Sequence, residues 1–127
     1  MAKTAPPIKP TAAELDLLRV LWPLGPATVK QVHHAMQAER PDITYAVVLR
    51  QMQLMHSKGL LTRDESERSH VYAPAQSQNA LQTSLLKELI HKAFSGSGKA
   101  LVLAALRGHV TKEERAEIRK ILHGEDR

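Results

Sequence analysis

The sequence predicts a mainly α-helical chain that carries one small β-hairpin. Three observations predict this fold class: helix-capping patterns recur along the chain, apolar residues between them follow helical spacing, and one short stretch alternates around a charged turn. Aromatic residues make up only 3% of the 127 residues. The core must therefore be aliphatic, which suits helices better than an all-β fold.

Three helices are expected in the first half of the chain. A capping box at Thr11–Glu14 opens the first helix, whose leucines recur at helical spacing until Pro23 and Gly25–Pro26 stop it. The pattern Thr28–Gln31 repeats the cap and opens a second helix that ends before Pro41. A third helix is expected from about Tyr45 to Ser57, followed by Gly59 as a C-terminal stop.

The third helix has two different faces. Its core face is predicted to hold Val48, Leu49, Met52 and Met55. Its exposed face is predicted to hold Ala46, Arg50, Gln53 and Ser57, flanked by Val47 and Leu54.

A β-hairpin is expected after the third helix. The stretches Leu60–Glu65 and Ser69–Ala73 read as its strands, and Ser66–Arg68 as its charged tip. The order of three helices and a hairpin within about 65 residues is the plan of a winged helix-turn-helix. The sequence thus predicts an N-terminal winged helix-turn-helix followed by a C-terminal helical region.

The remaining chain is rich in leucine and is expected to be helical. A longer helix is predicted from about Gln76 to Phe94, a break at Ser95–Gly98, a short apolar helix at Ala100–Leu106 and a last helix opened by the capping box Thr111–Glu114. Such short helices cannot bury their apolar surface alone and need a partner copy. The side chains expected at this dimer interface are Leu81, Leu85, Leu89, Ala93, Leu103, Leu106, Ile118, Ile121 and Leu122.

These patterns predict three regions. Residues 1–10, with three prolines, are expected to form a flexible leader. Residues 11–75 are expected to form the DNA-binding domain, and residues 76–127 the helical dimerisation region.

Composition narrows the functional classes. The chain has no cysteine, which excludes disulfides and thiolate metal or redox sites and fits a reducing cytoplasm. No stretch approaches the roughly 18 apolar residues of a membrane span, and the N-terminus lacks the apolar segment of a signal peptide. A net charge of +5 favours a polyanionic partner, nucleic acid before membrane. The excess of basic over acidic residues is not concentrated in either half of the chain.

Neither a metal site nor an active site is expected. The seven histidines form no HxxxH or HExxH pair, and the adjacent His33 and His34 point to different faces of a helix. Surface or capping histidines are the favoured interpretation of this pattern, and a metal site shared between two subunits stays open. There is no glycine-rich phosphate loop, GxSxG motif or cysteine nucleophile, so we expect neither a cofactor nor enzymatic activity.

The third helix is predicted to enter the major groove of DNA. Its base-reading residues would be Arg50 on a guanine, Gln53 on an adenine, and Val47 beside Ala46 on a thymine methyl. An ordinary solvated helix face is the competing interpretation, but the exposed aliphatic side chains make it less natural. Contacts with the DNA backbone are expected from Thr28, Lys30, Thr44, Tyr45, Arg63 and Arg68.

A second interpretation of the two hairpin arginines involves no contact with DNA. Asp64, Glu65 and Glu67 lie beside Arg63 and Arg68, so the tip is equally consistent with an ordinary charged turn. These acids would repel phosphate unless they point away from it.

Taken together, the motifs resemble the penicillinase-repressor family of winged-helix regulators, the BlaI/MecI type. The matching stretches are Thr11–Trp22, Gly25–Val32, Tyr45–Leu49, Lys58–Leu61, Val71–Pro74 and Val102–Leu106, together with the final capped helix. The resemblance implies a homodimer that binds palindromic half-sites in promoters and blocks transcription. It also implies relief of repression through a partner membrane sensor-protease that leads to cleavage in the dimerisation region.

This chain departs from the family pattern in three places. The best-known members present Lys and Thr on the exposed face of the third helix, where Ala46, Val47 and Arg50 align here, so a different operator is expected. Their Asn-Phe cleavage bond aligns near Ala104–Ala105, which leaves cleavage and the inducing signal open. The copper-sensing branch uses cysteines that this chain lacks.

The sequence motifs also fit a second functional class. A winged-helix module that binds a protein through the same helix face would show the same motifs. Salt distinguishes the two, because DNA binding falls steeply with ionic strength and an apolar protein contact does not.

Overall fold

The computed structural model describes residues 9–125. Within them lie six helices and one two-stranded sheet, in the order α1 (Ala12–Leu24), α2 (Val29–Met36), α3 (Tyr45–Ser57), β1 (Leu61–Asp64), β2 (Val71–Pro74), α4 (Gln78–Ala93), α5 (Gly98–Gly108) and α6 (Lys112–Glu125). The predicted fold class, a mainly helical chain with a winged helix-turn-helix and a helical C-terminus, is confirmed. Most of the predicted leader lies outside the described residues, and Pro10 at its end is buried.

The first three helices begin at the predicted caps. The Thr11 hydroxyl accepts from the backbone N–H of Glu14 at 3.2 Å, and the Glu14 carboxylate accepts from the N–H of Thr11 at 2.9 Å. At its other end, α1 includes Pro23 and ends at Leu24, with Gly25 as its C-cap, in agreement with the stop predicted at Pro23 and Gly25–Pro26. Gly25 has a φ of 76°, a left-handed conformation that glycine adopts without a steric penalty.

The core of the N-terminal unit is aliphatic, as the composition predicts. Side chains from all three helices meet there at 2% exposure or less, namely Leu17, Leu18, Leu21, Val32, Val48, Met52 and Met55. The apolar faces of α1, α2 and α3 are therefore directed at one another. The opposite face of α3 is left exposed, as predicted.

The hairpin is anchored to the helices through Tyr72. Strands β1 and β2 pair antiparallel with Leu61 opposite Pro74 and Asp64 opposite Val71. Outside this pair, the Tyr72 N–H donates to the Ala27 carbonyl at 2.8 Å, and the Ala27 N–H donates to the Tyr72 carbonyl at 2.9 Å. Tyr72 is only 2% exposed. These contacts hold the hairpin beside the segment that leads into α2.

A charged pair connects the start of α1 with the end of α3. The Lys58 ammonium donates to both carboxylate oxygens of Glu14, at 2.9 and 2.7 Å. Glu14 is the buried charged residue among those described, at 6% exposure. Burial raises the pKa of Glu14, but hydrogen bonds from Lys58 and Thr11 outweigh burial and hold the pKa below its ordinary value of 4.5.

The chain divides into two compact units, one ending at Gln82 and the other beginning at Thr83. The first turn of α4 therefore belongs with the winged helix. Leu81 in that turn is 4% exposed and is part of the core. The Trp22 indole N–H, which donates to the Gln76 carbonyl at 3.1 Å, ties the end of α1 to the segment before α4.

The second unit contains the rest of α4 together with α5 and α6. Ser95 and Gly96 have φ values of 51° and 84°, and Ser97 then caps α5 by accepting from the Ala100 N–H at 3.0 Å. The predicted break at Ser95–Gly98 is therefore a capped turn between two helices. The Arg115 guanidinium of α6 donates to the Leu106 carbonyl of α5 at 2.6 Å.

The last helix leaves its apolar face uncovered in the single chain. Ile118, Ile121 and Leu122 are predicted to lie at a dimer interface, and Ile121 is 61% and Leu122 60% exposed. The pattern of α6 describes an amphipathic helix, but one chain offers too little surface to cover its apolar face. Among residues 9–125, no helix combines the length and the apolar character needed to span a membrane.

Candidate nucleic-acid interface

The exposed face of α3 is the centre of the candidate site. Ala46, Arg50 and Gln53 are exposed there, and the apolar side chains of Val47 and Leu54 are 49% and 50% exposed. A helix of 13 residues with an anchored core face can present such side chains rigidly. The major groove of DNA admits an α-helix, and an exposed helix face of this kind is compatible with it.

Threonine hydroxyls define the starts of α2 and α3. The Thr28 hydroxyl accepts from the Gln31 N–H at 3.2 Å, and the Gln31 side chain accepts from the Thr28 N–H at 2.8 Å. The Thr44 hydroxyl accepts from the Val47 N–H at 3.2 Å. Both hydroxyls therefore act as helix caps. Any attraction of these helix starts for phosphate would come from backbone amides and the helix dipole.

The hairpin and the two helix starts enclose a shallow concavity of about 210 Å³. The concavity brings together five residues that the sequence predicted separately as DNA contacts, namely Thr28, Lys30, Tyr45, Gln53 and Arg68. They come from three elements, and their meeting depends on the pairing of Tyr72 with Ala27. Ala46, Val47, Thr44, Arg50 and Arg63 do not line it.

Several lining residues were not predicted from the sequence. Ser69 and His70 lie on the hairpin side of the concavity, and Leu49 lies on the α3 side. The single aromatic residue of β2, Tyr72, also lines it and anchors the hairpin. A lone aromatic in an alternating strand was the available signal for this anchor, but its partner Ala27 carries no signal in the sequence.

Two histidine rings pack against the tyrosine rings that line the concavity. The His56 ring meets the Tyr72 ring edge to face, with centroids 6.3 Å apart. The His33 ring meets the Tyr45 ring in the same way at 6.0 Å, and His33 Nε2 lies 2.9 Å from the Ile43 carbonyl. These two histidines thus have packing partners. Among the described residues, no three His, Asp or Glu side chains are placed to hold a metal ion together.

The charges of the hairpin are partly neutralised within it. The Arg63 guanidinium donates to the Glu65 carboxylate at 2.6 Å and lies over the Tyr72 ring at 5.9 Å. Arg63 lowers the pKa of Glu65, and the Ser66 backbone N–H, which donates to Asp64 at 2.9 Å, lowers the pKa of Asp64. Of the three acidic residues that were expected to repel phosphate, Asp64 and Glu65 therefore have partners within the hairpin.

Arg68 differs from Arg63 in this respect. Within residues 9–125, no carboxylate lies within ion-pair distance of Arg68, and the same holds for Arg50 and Lys30. Three uncompensated cations thus lie on or beside the concavity and the exposed face of α3. This charge distribution suits a polyanion.

The second unit offers a different surface. Large apolar side chains that are 41–61% exposed are found on all three of its helices, namely Leu86, Leu89, Val102, Leu103, Ile121 and Leu122. Leu86 and Val102 were not among the predicted interface residues. Of those that were, Leu81 is buried within the single chain and has little surface for a partner.

The fold and the site define a class of protein. Three helices, a hairpin and an exposed third helix flanked by uncompensated cations make up a winged helix-turn-helix regulator. Comparison with known families agrees, since the family model described as penicillinase repressor matches residues 10–124. The chain belongs to the penicillinase repressor family, which is one of transcriptional regulators rather than enzymes.

Curated relatives support this membership. The chain is 29% identical over 97 residues to the protein named Transcriptional regulator BlaI of Mycobacterium tuberculosis strain CDC 1551 / Oshkosh. It matches the protein of the same name from strain ATCC 25618 / H37Rv equally well. In both cases the match covers 76% of this chain and 70% of the relative.

Proposed function

We propose that this transcriptional repressor acts as a homodimer that binds a palindromic operator through α3. The observation that carries the proposal is the concavity, where five separately predicted contact residues from α2, α3 and the hairpin converge beside the exposed face of α3. A wing and a recognition helix that share one surface can hold the DNA backbone and the base edges at the same time.

The residues divide into two roles. Base edges would be contacted by the exposed side chains of α3, namely Ala46, Val47, Arg50 and Gln53. Phosphates would be contacted by residues at the helix starts and the hairpin, namely Thr28, Lys30, Thr44, Tyr45 and Arg68. Arg63 was predicted in the second group, but its pairing with Glu65 assigns it a smaller contribution.

Dimerisation would use the exposed apolar surface of the second unit. The proposed interface keeps eight of the predicted side chains, namely Leu85, Leu89, Ala93, Leu103, Leu106, Ile118, Ile121 and Leu122. Leu81 is left out because it is already buried in the single chain. A rigid dimer presents two recognition helices at high effective concentration to two half-sites, which raises affinity without new contacts.

Release from DNA would follow an inducing signal such as proteolysis. The family resemblance suggests a membrane sensor-protease as the partner and the cytoplasm as the compartment. The bond that aligns with the family's cleavage site, near Ala104–Ala105, lies within α5 and is half-buried. Cutting there would divide one of the helices that carry the proposed interface and so weaken the dimer.

The decisive experiment is a selection of short random duplexes by the purified protein at two salt concentrations. We expect enrichment of a palindrome with half-sites about one helical turn apart, and binding that weakens steeply with salt. The absence of any enriched sequence, together with weak binding that vanishes at moderate salt, would contradict the proposal. That outcome would favour a module that binds a protein through α3.

A further inference from the structure

The exposed face of α3 has two flanks of different character. At 3.6 residues per turn, Tyr45, Leu49 and Gln53 follow one flank, and these are the α3 residues that line the concavity beside the hairpin. Val47 and Leu54 follow the other flank, seven residues apart, with Arg50 between the two flanks. Their side chains are 49% and 50% exposed, so the flank away from the hairpin is apolar.

We propose that Val47 and Leu54 form a methyl-reading flank that contacts the C5-methyl groups of thymines in the major groove. The proposal rests on the proposed function and deepens it. Val47 belongs to the proposed base-facing residues, and Leu54 adds a second apolar contact that would contribute to specificity. Operator preference would then depend on methyl groups as well as on the hydrogen bonds of Arg50 and Gln53.

The charges around the apolar flank indicate which kind of partner would cover it. Lys30 and Arg68 lie on the hairpin side of α3, and Arg50 lies between the two flanks of its exposed face. All three cations lack a carboxylate partner among the described residues. A partner that covers both flanks would therefore need negative charge towards the hairpin and an apolar group towards Val47 and Leu54. The thymine methyl is the apolar group that the edges of base pairs present in the major groove, inside two rows of phosphates.

The spacing of the two side chains agrees with this partner. Seven residues of α-helix advance about 10.5 Å along the axis, at about 1.5 Å per residue. Base pairs in B-form DNA advance about 3.4 Å per step. Val47 and Leu54 on a helix that lies along the groove therefore reach thymines about three base-pair steps apart.

The test uses the operator that the wild-type protein selects. Each thymine of a half-site is replaced in turn by uracil, which keeps the hydrogen-bonding edge and removes only the C5-methyl group. We expect about fourfold weaker binding at each of two positions, because the complex loses the burial of one methyl-sized apolar group. At the other thymines the affinity should be unchanged.

Variants then assign each methyl to a side chain. Leu54→Ala should abolish the preference for thymine over uracil at one of the two positions, and Val47→Ala should reduce it at the other. Leu24→Ala is the matched control, because Leu24 is a leucine of similar exposure, 45%, at the end of α1. It should leave both preferences intact.

The outcomes separate this inference from the proposed function. If the wild-type protein binds its selected operator equally well with thymine or uracil at every position, the methyl-reading flank is wrong and the repressor function stands. A preference for thymine that persists in both α3 variants also overturns it. If no operator is selected at all, the proposed function fails and the inference fails with it.

Discussion

The proposed function gives Arg50 and Arg68 different roles in DNA recognition. Both are exposed and neither has a carboxylate partner among the described residues. Arg50 lies on the face of α3 that would meet base edges, whereas Arg68 lies on the hairpin beside the concavity. The same charged group is therefore expected to give specificity at one position and general affinity at the other.

Replacing Arg50 by alanine should relax specificity at one base position. A bidentate contact with guanine contributes about 1–3 kcal/mol of discrimination, so preference there should fall about 5- to 150-fold. Competition binding with all four base pairs at each operator position measures the loss. The control is Arg19→Ala, an exposed arginine of α1 that pairs with Asp16. Unchanged base preference in the Arg50 variant would remove this residue from base reading.

Replacing Arg68 by alanine should weaken binding to all sequences equally. Loss of one phosphate contact also lowers the slope of log affinity against log salt by about 1. Arg63→Ala is the informative comparison, because Glu65 already neutralises Arg63 and the slope should change less. Equal slope changes in the two variants would show that the Arg63–Glu65 pair opens when DNA binds.

At the scale of elements, the hairpin depends on one side chain. Tyr72→Ala should cost about 3–5 kcal/mol of unfolding free energy, because it leaves a cavity where a fully buried aromatic ring lay. Tyr72→Phe should retain most of that stability, since the ring remains. Urea unfolding of both variants measures the difference. Similar losses in both would mean that the hydroxyl, rather than the ring, anchors the hairpin.

The pair of Glu14 and Lys58 should make the link between α1 and α3 sensitive to acid. Because the pKa of Glu14 is lowered in the folded chain, the pair stabilises the fold fully above the unfolded pKa near 4.5. The stabilisation is lost as the pH falls through the lower folded pKa. Lys58 is partly exposed, so we expect about 1 kcal/mol at pH 7.

Denaturant unfolding between pH 7 and pH 3 tests this link. The wild-type protein should lose more stability over that range than Glu14→Gln, which has no carboxylate to titrate at this position. Parallel pH profiles for the two proteins would contradict a stabilising role for the ionised pair.

At the scale of the whole molecule, the two units divide two tasks. The first unit buries its core within one chain, whereas the second leaves large apolar side chains on all three helices 41–61% exposed. A small helical unit that leaves such apolar side chains exposed would gain stability from the second copy that the proposed dimer supplies. Folding of the second unit and assembly of the dimer are therefore expected to be linked.

Replacing Leu89 by glutamate should produce monomers, because a charge cannot be buried unpaired in an apolar interface. Sedimentation equilibrium measures the molecular mass, and operator binding should weaken as the linked half-sites become independent. Leu24→Glu places the same charge on a similarly exposed leucine of the first unit and should leave the assembly unchanged. An intact dimer in the Leu89 variant would exclude that face of α4 from the interface.

The amino-acid sequence alone determined the order and approximate bounds of the helices and of the hairpin, the buried and exposed faces of α3, and the family. These properties are local, since caps and apolar periodicity act over a few neighbouring residues. Helix α3 has the predicted bounds, Tyr45–Ser57, for that reason. The predicted stop of α1 at Pro23 and Gly25–Pro26 is local too, and the helix ends at Leu24 with Gly25 as its cap.

Only the tertiary structure decided which residues share a surface. The backbone pairing of Ala27 with Tyr72 brings the hairpin to the start of α2. The ion pair with Glu65 distinguishes Arg63 from Arg68. The burial of Leu81 assigns the first turn of α4 to the winged helix. Each depends on contacts between residues far apart in the chain or on the conformation of a turn. The Ala27–Tyr72 pairing in particular is made by backbone hydrogen bonds between residues 45 positions apart, and the side chain of Ala27 gives no sign of it.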